Sequence, residues 1–86
     1  MPEISRFFGI VIAMFYDDHA PAHFHVRYGG QKAIIAIATL AVLGGKLSPR
    51  VLGMVMEWAA LHQQELLEDW KLAEQLAPLK AISPLE

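Results

Sequence analysis

Apolar and polar positions along the chain fall into two regimes, one with the period of a strand and one with the period of a helix. Phe7 to Tyr16 is nearly unbroken apolar sequence rich in β-formers, the pattern of a central strand covered on both faces. Asp17 to Ala22 reads as a loop by its turn residues. From His23 to Tyr28 the chain alternates with a period of two, which puts His23, His25 and Arg27 on one side and Phe24, Val26 and Tyr28 on the other. Gly29-Gly30 supplies the positive φ angles of a two-residue hairpin turn, and Gln31 to Ala38 returns as the partner strand. Leu40 to Leu47 is a turn and a short further strand broken by Gly44-Gly45.

The helical regime begins at Ser48-Pro49, with Ser48 as N-cap and Pro49 at the first helical position. Val51, Val55, Trp58, Leu66, Ala73 and Leu76 then fall within roughly a third of the circumference at 3.6 residues per turn. Gln63-Gln64-Glu65 interrupts the stripe, so the segment is one long helix or two short ones, ended by Pro78. Ala81-Ile82-Ser83 adds a short edge strand before the tail. The expected fold is therefore α+β: an antiparallel sheet of three to five strands in the N-terminal half, packed on one long or two short C-terminal helices. One domain over 1–86 is expected, mainly β over 1–47, helical over 48–77, with an edge strand or tail over 78–86.

Composition changes this picture in two ways. Hydrophobic residues make up 55% of 86 positions, more than a body this small can cover, so part of the apolar surface is expected to meet a partner, a second copy forming a dimer first of all. The net charge of −2 hides an asymmetry. Arg6, Arg27, Lys32, Lys46 and Arg50 outnumber Glu3, Asp17 and Asp18 in the first 50 residues, whereas the helical half is acidic. An acidic helical half argues against wrapping duplex DNA, but leaves RNA or a small anion open to the sheet half. There is no cysteine, which excludes disulfides and thiolate metal sites and fits a reducing compartment. The first residues lack the pattern of a signal peptide, and the ten-residue apolar run from Phe7 is too short to span a bilayer. A cytoplasmic protein with no membrane contact is expected.

The candidate chemistry lies between Asp17 and Lys32. A two-residue turn sets Tyr28 opposite Gln31, Arg27 opposite Lys32, His25 opposite Ile34 and His23 opposite Ala36. His23, His25, Arg27 and Lys32 then share one face. Opposed cations cost stability in a sheet, so either a carboxylate, Asp17 or Asp18, or a bound phosphate is expected between Arg27 and Lys32, or both side chains splay into water. Three readings of the histidines stand side by side. His23 and His25, with Arg27 and Lys32, resemble the acid–base and cationic equipment of metal-free ribonucleases. His19, His23, His25 and Asp18 form a ligand set for a divalent transition metal. Alternatively, the histidines are hydrogen-bonded structural residues that fix a loop to the sheet. His62, in the middle of the helical stripe, reads as a core residue with a backbone or carboxylate partner. Trp58 and Trp70 read as core anchors.

Pro2-Glu-Ile-Ser-Arg-Phe-Phe-Gly-Ile10, followed by Asp18-His-Ala-Pro-Ala-His-Phe-His-Val-Arg-Tyr28, resembles a small bacterial family, domain of unknown function 4160. The likeness continues through Leu43, Gly45, Lys46-Leu47, Glu57-Trp58, Leu61-His62, Pro78-Leu79-Lys80 and Ile82. Ala22 departs from a second proline common in the family, and Leu40-Ala41 from a more polar, glycine-containing turn. The resemblance implies a compact α+β domain that carries no established activity. It also implies a place beside a second small protein in a two-gene arrangement of toxin–antitoxin type. Combined with the His/Arg/Lys face, this makes a toxin-like protein acting on RNA the leading expectation. A non-catalytic module that binds itself and a neighbour-encoded partner is the second, and a metal-binding protein the third.

Overall fold

The computed structural model describes residues 2–86. In chain order it contains β1 (Glu3–Phe7), β2 (Ile10–Ala13), β3 (His23–Tyr28), β4 (Gln31–Ala36), β5 (Val42–Lys46), α1 (Pro49–Leu61) and α2 (Gln63–Glu74). The strands form one antiparallel sheet in sequence order, each paired with the next. The α+β fold is as expected, with five strands and two helices.

Strand periodicity divides the sheet into two faces. Ile10, Ile12, Met14, Phe24, Val26, Ala33 and Ile35 join Val51, Val55 and Trp58 of α1 and Leu66, Trp70 and Ala73 of α2 in the core. Trp58 is its centre. The indole is fully buried, lies 5.4 Å from the Phe7 ring and 6.0 Å from Phe24, and donates its N–H to the Ser83 carbonyl at 2.8 Å. Each fully buried side chain of this size contributes about 1.5–3 kcal/mol. With both helices on that face, the residues between the core positions, Val11, Ala13, His25, Arg27, Lys32 and Ile34, line the opposite face of the sheet.

Three expectations need correction, and a fourth, Ser48 as N-cap before Pro49, holds with one difference. The apolar run from Phe7 to Tyr16 is not one strand: Phe8 and Gly9 both take positive φ, 50° and 79°, and turn β1 back into β2, as a two-residue hairpin of the primed type requires. An exposed phenylalanine at positive φ runs against its propensity, which is why the run reads as continuous; Gly9 is the local signal of the turn. Ala81-Ile82-Ser83 forms no strand, although the Ile82 N–H donates to the Ile4 carbonyl at 2.8 Å and its side chain is buried. Leu76 lies beyond α2 and is exposed, not part of the buried stripe. Ser48 precedes α1 as its N-cap residue without a side-chain capping bond; its N–H donates to Gln31 Oε1 at 2.7 Å instead.

The interruption in the helical pattern marks a real break. His62 ends α1 and precedes α2. Its ring lies 5.5 Å from that of Trp58, and Nδ1 bonds Glu65 Oε1 at 2.5 Å. The carboxylate partner is as its position predicts, but the residue is half-buried at the junction of the two helices and is not part of the core. The Gln63 side chain then reaches back to donate to the Ile37 carbonyl at 2.7 Å, tying the start of α2 to the end of β4.

Candidate functional site

The β3–β4 hairpin has the register that the Gly29-Gly30 turn dictates, with Arg27 opposite Lys32, His25 opposite Ile34 and His23 opposite Ala36. Only Gly29 of the pair takes positive φ, at 56°, the arrangement of a type II′ turn. This register puts His25, Arg27 and Lys32 in the wall of one cavity of about 350 Å³, completed by Val11, Ala13, Phe15, Ile34 and the glycines of β5. The cavity lies on the sheet face away from the helices and has an apolar floor with cations along one side.

The row of charge is longer than the sequence suggests. Val11 of β2 pairs with Arg27, Arg27 with Lys32, and Lys32 with Lys46 of β5. Three cations thus follow one another across three neighbouring strands. On the far side of Val11 stands Arg6, held by Glu3 at 2.7 and 3.1 Å. Arg27, Lys32 and Lys46 have no ion-pair partner among the described residues. Lys46 was not among the sequence candidates, because Gly44-Gly45 and an irregular register between Ile34 and Ile35 hide the strand that carries it. Its signal was its place after the double glycine. Gly45 has φ 77°, and a Cβ there would collide with the Lys32 carbonyl oxygen and come within 2.8 Å of the Ala33 Cα. Glycine is what lets β5 close on β4 and set Lys46 beside Lys32.

The carboxylate expected between Arg27 and Lys32 is elsewhere. Asp18 turns to the histidines: its Oδ2 lies 2.8 Å from His23 Nε2 and 3.3 Å from His25 Nε2, while Oδ1 accepts the His19 N–H at 3.0 Å. Burial pushes this carboxyl upward, but the hydrogen bonds from His25, the His19 N–H and His23 outweigh it and hold Asp18 below the ordinary aspartate range. Asp17, at φ 58°, is exposed and joins neither group.

The two strand histidines have different surroundings. His23 is buried, with Nδ1 2.7 Å from the Pro21 carbonyl and its ring 5.1 Å from Trp70 of α2. It does not line the cavity. His25 is half-buried, lines the cavity, and meets the edge of Phe15 with ring centroids 4.4 Å apart. Asp18, His23 and His25 therefore offer three ligand atoms within 4.8 Å of one another. His19, the fourth residue of the expected ligand set, stays outside: it is exposed, and its Nδ1 lies 3.4 Å from the Ala20 carbonyl.

With the geometry in place, one comparison bears on identity. The model of a family described as a domain of unknown function (DUF4160) matches residues 9–71. The chain belongs to this family. The matched span runs from the β1–β2 turn into α2 and includes Asp18, His23, His25, Arg27, Lys32 and Lys46. No curated protein and no solved structure matches the chain. No helix among the described residues is long and apolar enough to cross a membrane.

Proposed function

We propose that this protein is a toxin-like component of a two-gene module that acts on single-stranded RNA, holding the phosphodiester backbone on the open face of its sheet. The observation that carries this reading is the row Arg27, Lys32 and Lys46, three adjacent cations without carboxylate partners among the described residues. Strand spacing of about 4.8 Å places the row over roughly 10 Å, a repeat of positive charge suited to a phosphate chain. The cavity beside it is mostly apolar and roomy enough for a base or ribose. A duplex would need a broad basic face, and the acidic helices do not provide one. Proton transfer falls to the Asp18–His23–His25 cluster, whose cavity-facing member is His25. The cations would stabilise charge developing on the phosphate oxygens.

Induced expression tests this reading, with growth and total RNA integrity followed for the wild type and His25→Ala. His25 is chosen over His23 because His23 is packed against Trp70 and its loss threatens the fold. Growth arrest with RNA breakdown for the wild type alone supports the reading. Equal growth and intact RNA for both oppose it.

One observation favours a second reading, a non-catalytic self-associating module. β5 is the last strand of the sheet, with no further strand on its outer edge among the described residues, and it exposes Val42 and Leu43. Edges of this kind pair with other chains. A monodisperse monomer in light scattering would remove this reading.

A further inference from the structure

The ring of His23 poses a hydrogen-bonding problem that the protein alone solves only with an extra proton. Nδ1 faces the Pro21 carbonyl at 2.7 Å, and a carbonyl oxygen only accepts, so Nδ1 carries a hydrogen. Nε2 then faces Asp18 Oδ2 at 2.8 Å. In a neutral ring that nitrogen presents a lone pair to a carboxylate oxygen. The same oxygen also lies 3.3 Å from His25 Nε2. A positive charge between Asp18 Oδ2 and the two Nε2 atoms resolves the contact, either as a proton on His23 or as a bound cation.

We propose that Asp18, His23 and His25 form a binding site for a divalent first-row transition ion of the zinc class, ligated by Asp18 Oδ2 and by Nε2 of both histidines. Three features support this. The donor set, two imidazoles and one carboxylate, is borderline in softness and suits zinc and its neighbours but not magnesium or calcium, which take oxygen ligands. Two of the three separations are already close: tetrahedral zinc with bonds of about 2.0–2.2 Å sets its ligand atoms about 3.3 Å apart, the Asp18 oxygen lies 2.8 and 3.3 Å from the two nitrogens, and all three atoms lie within 4.8 Å of one another. The outer shell is also in place. The Pro21 carbonyl fixes His23 in the tautomer whose Nε2 is free to ligate, and the His19 N–H holds the other carboxylate oxygen, the usual way a protein orients metal ligands.

Three protein ligands would leave a position open on the ion, and His25 lines the same cavity as Arg27 and Lys32. This is the layout of catalytic rather than structural zinc sites. When bound, the ion would take the proton-transfer role from the two ligated histidines and supply an activated water in their place. That role rests on the RNA reading; the binding itself does not.

The test uses the full chain, stripped with a chelator and titrated calorimetrically with zinc chloride in the absence of RNA. The proposal expects one equivalent to bind saturably, His25→Ala to weaken binding by at least about tenfold, and magnesium chloride to give no binding. Imidazole nitrogen resonances locate the ion independently: His23 and His25 should shift, and His19 and His62 should not. No saturable zinc binding, affinity unchanged in a folded His25→Ala protein, or shifts confined to His19 or His62 would overturn it. Zinc binding without RNA cleavage would leave the site standing and remove only its proposed use.

Discussion

Lys46 on β5 lies directly opposite Lys32 on β4, in a sheet that gives neither a carboxylate among the described residues. Lys32 is in turn opposite Arg27. Like charges facing each other across strands destabilise a sheet by about 0.2–1 kcal/mol per pair, so the row is an unfavourable arrangement for the fold taken alone. If it serves an anionic ligand, removing a charge should help stability. Lys32→Gln, which relieves both contacts, is expected to raise the urea midpoint slightly without changing the slope of the transition. A drop of more than about 1 kcal/mol would mean that Lys32 has a structural role.

The two strand histidines should separate cleanly in stability. His23 is buried between Asp18, the Pro21 carbonyl and Trp70. His23→Ala leaves the Pro21 carbonyl without its partner, Asp18 Oδ2 with only the longer contact to His25, and a void, at an expected cost of about 2–4 kcal/mol. His25 is half-buried, with a single longer bond to Asp18, and His25→Ala should cost less than about 1 kcal/mol. Chemical denaturation of the two variants measures the difference; equal losses would contradict the division into an anchoring and a cavity-facing histidine.

Gly45 controls where Lys46 stands. Any side chain at φ 77° meets the backbone of Lys32 and Ala33, so Gly45→Ala should displace β5 and cost more than about 2 kcal/mol. Gly53, with nothing within 4 Å of an added Cβ on the exposed side of α1, is the control. Gly53→Ala should stabilise the helix by about 0.5–1 kcal/mol. Thermal unfolding of the pair reads out both signs.

Asp69 introduces a pH dependence of its own. The residue is buried on α2, where Oδ1 accepts the Lys80 N–H at 2.9 Å and Oδ2 has no partner. Burial raises its carboxyl above the ordinary aspartate value, with Glu68 and Glu65 adding to the effect against the Lys80 N–H and charge. The folded state therefore binds this proton more tightly than the unfolded state. The contribution is full below the unfolded value and is lost as pH climbs through the folded one. Asp18 runs the other way, since its lowered value gives stability that disappears as pH falls. Comparing the wild type with Asp69→Asn isolates the first effect: the variant should gain relative stability as pH rises from the acid range to 7. A stability difference that stays constant over that range would contradict it.

Legibility followed the local rules. The β3–β4 register could be read because Gly29-Gly30 leaves a two-residue loop and the alternation from His23 to Tyr28 leaves one choice of face. Gln63-Gln64-Glu65 marked where the helical segment could divide without deciding between one helix and two; the break falls just before it, at His62. What escaped depended on distant partners or on residues acting against their preference. Phe8 takes positive φ in the β1–β2 turn, and Leu43 is the extra residue between the Ile34–Gly44 and Ile35–Val42 pairs, so Lys46 could not be placed by alternation. Asp18 was a candidate both for the histidines and for the gap between Arg27 and Lys32; it goes to the histidines because the loop from Asp17 to Ala22 curls over the start of β3, a path that no spacing in the sequence encodes. Asp18, His23, His25, Arg27 and Lys32 were legible as a list, but Lys46 was missing from it and His19 was on it without joining the cluster. The division into a cation row and a histidine–carboxylate cluster was not legible.

The measurement that tests the account most directly is binding of a labelled single-stranded RNA to purified protein over a range of salt, for the wild type and Lys32→Ala/Lys46→Ala. Three phosphate contacts predict that log K falls with log salt at a slope of about −2, and the double variant should bind more weakly with a slope near −0.7. Absence of binding by the wild type, or binding whose affinity and salt slope are the same in a folded double variant, would contradict the claim that the open sheet face holds RNA.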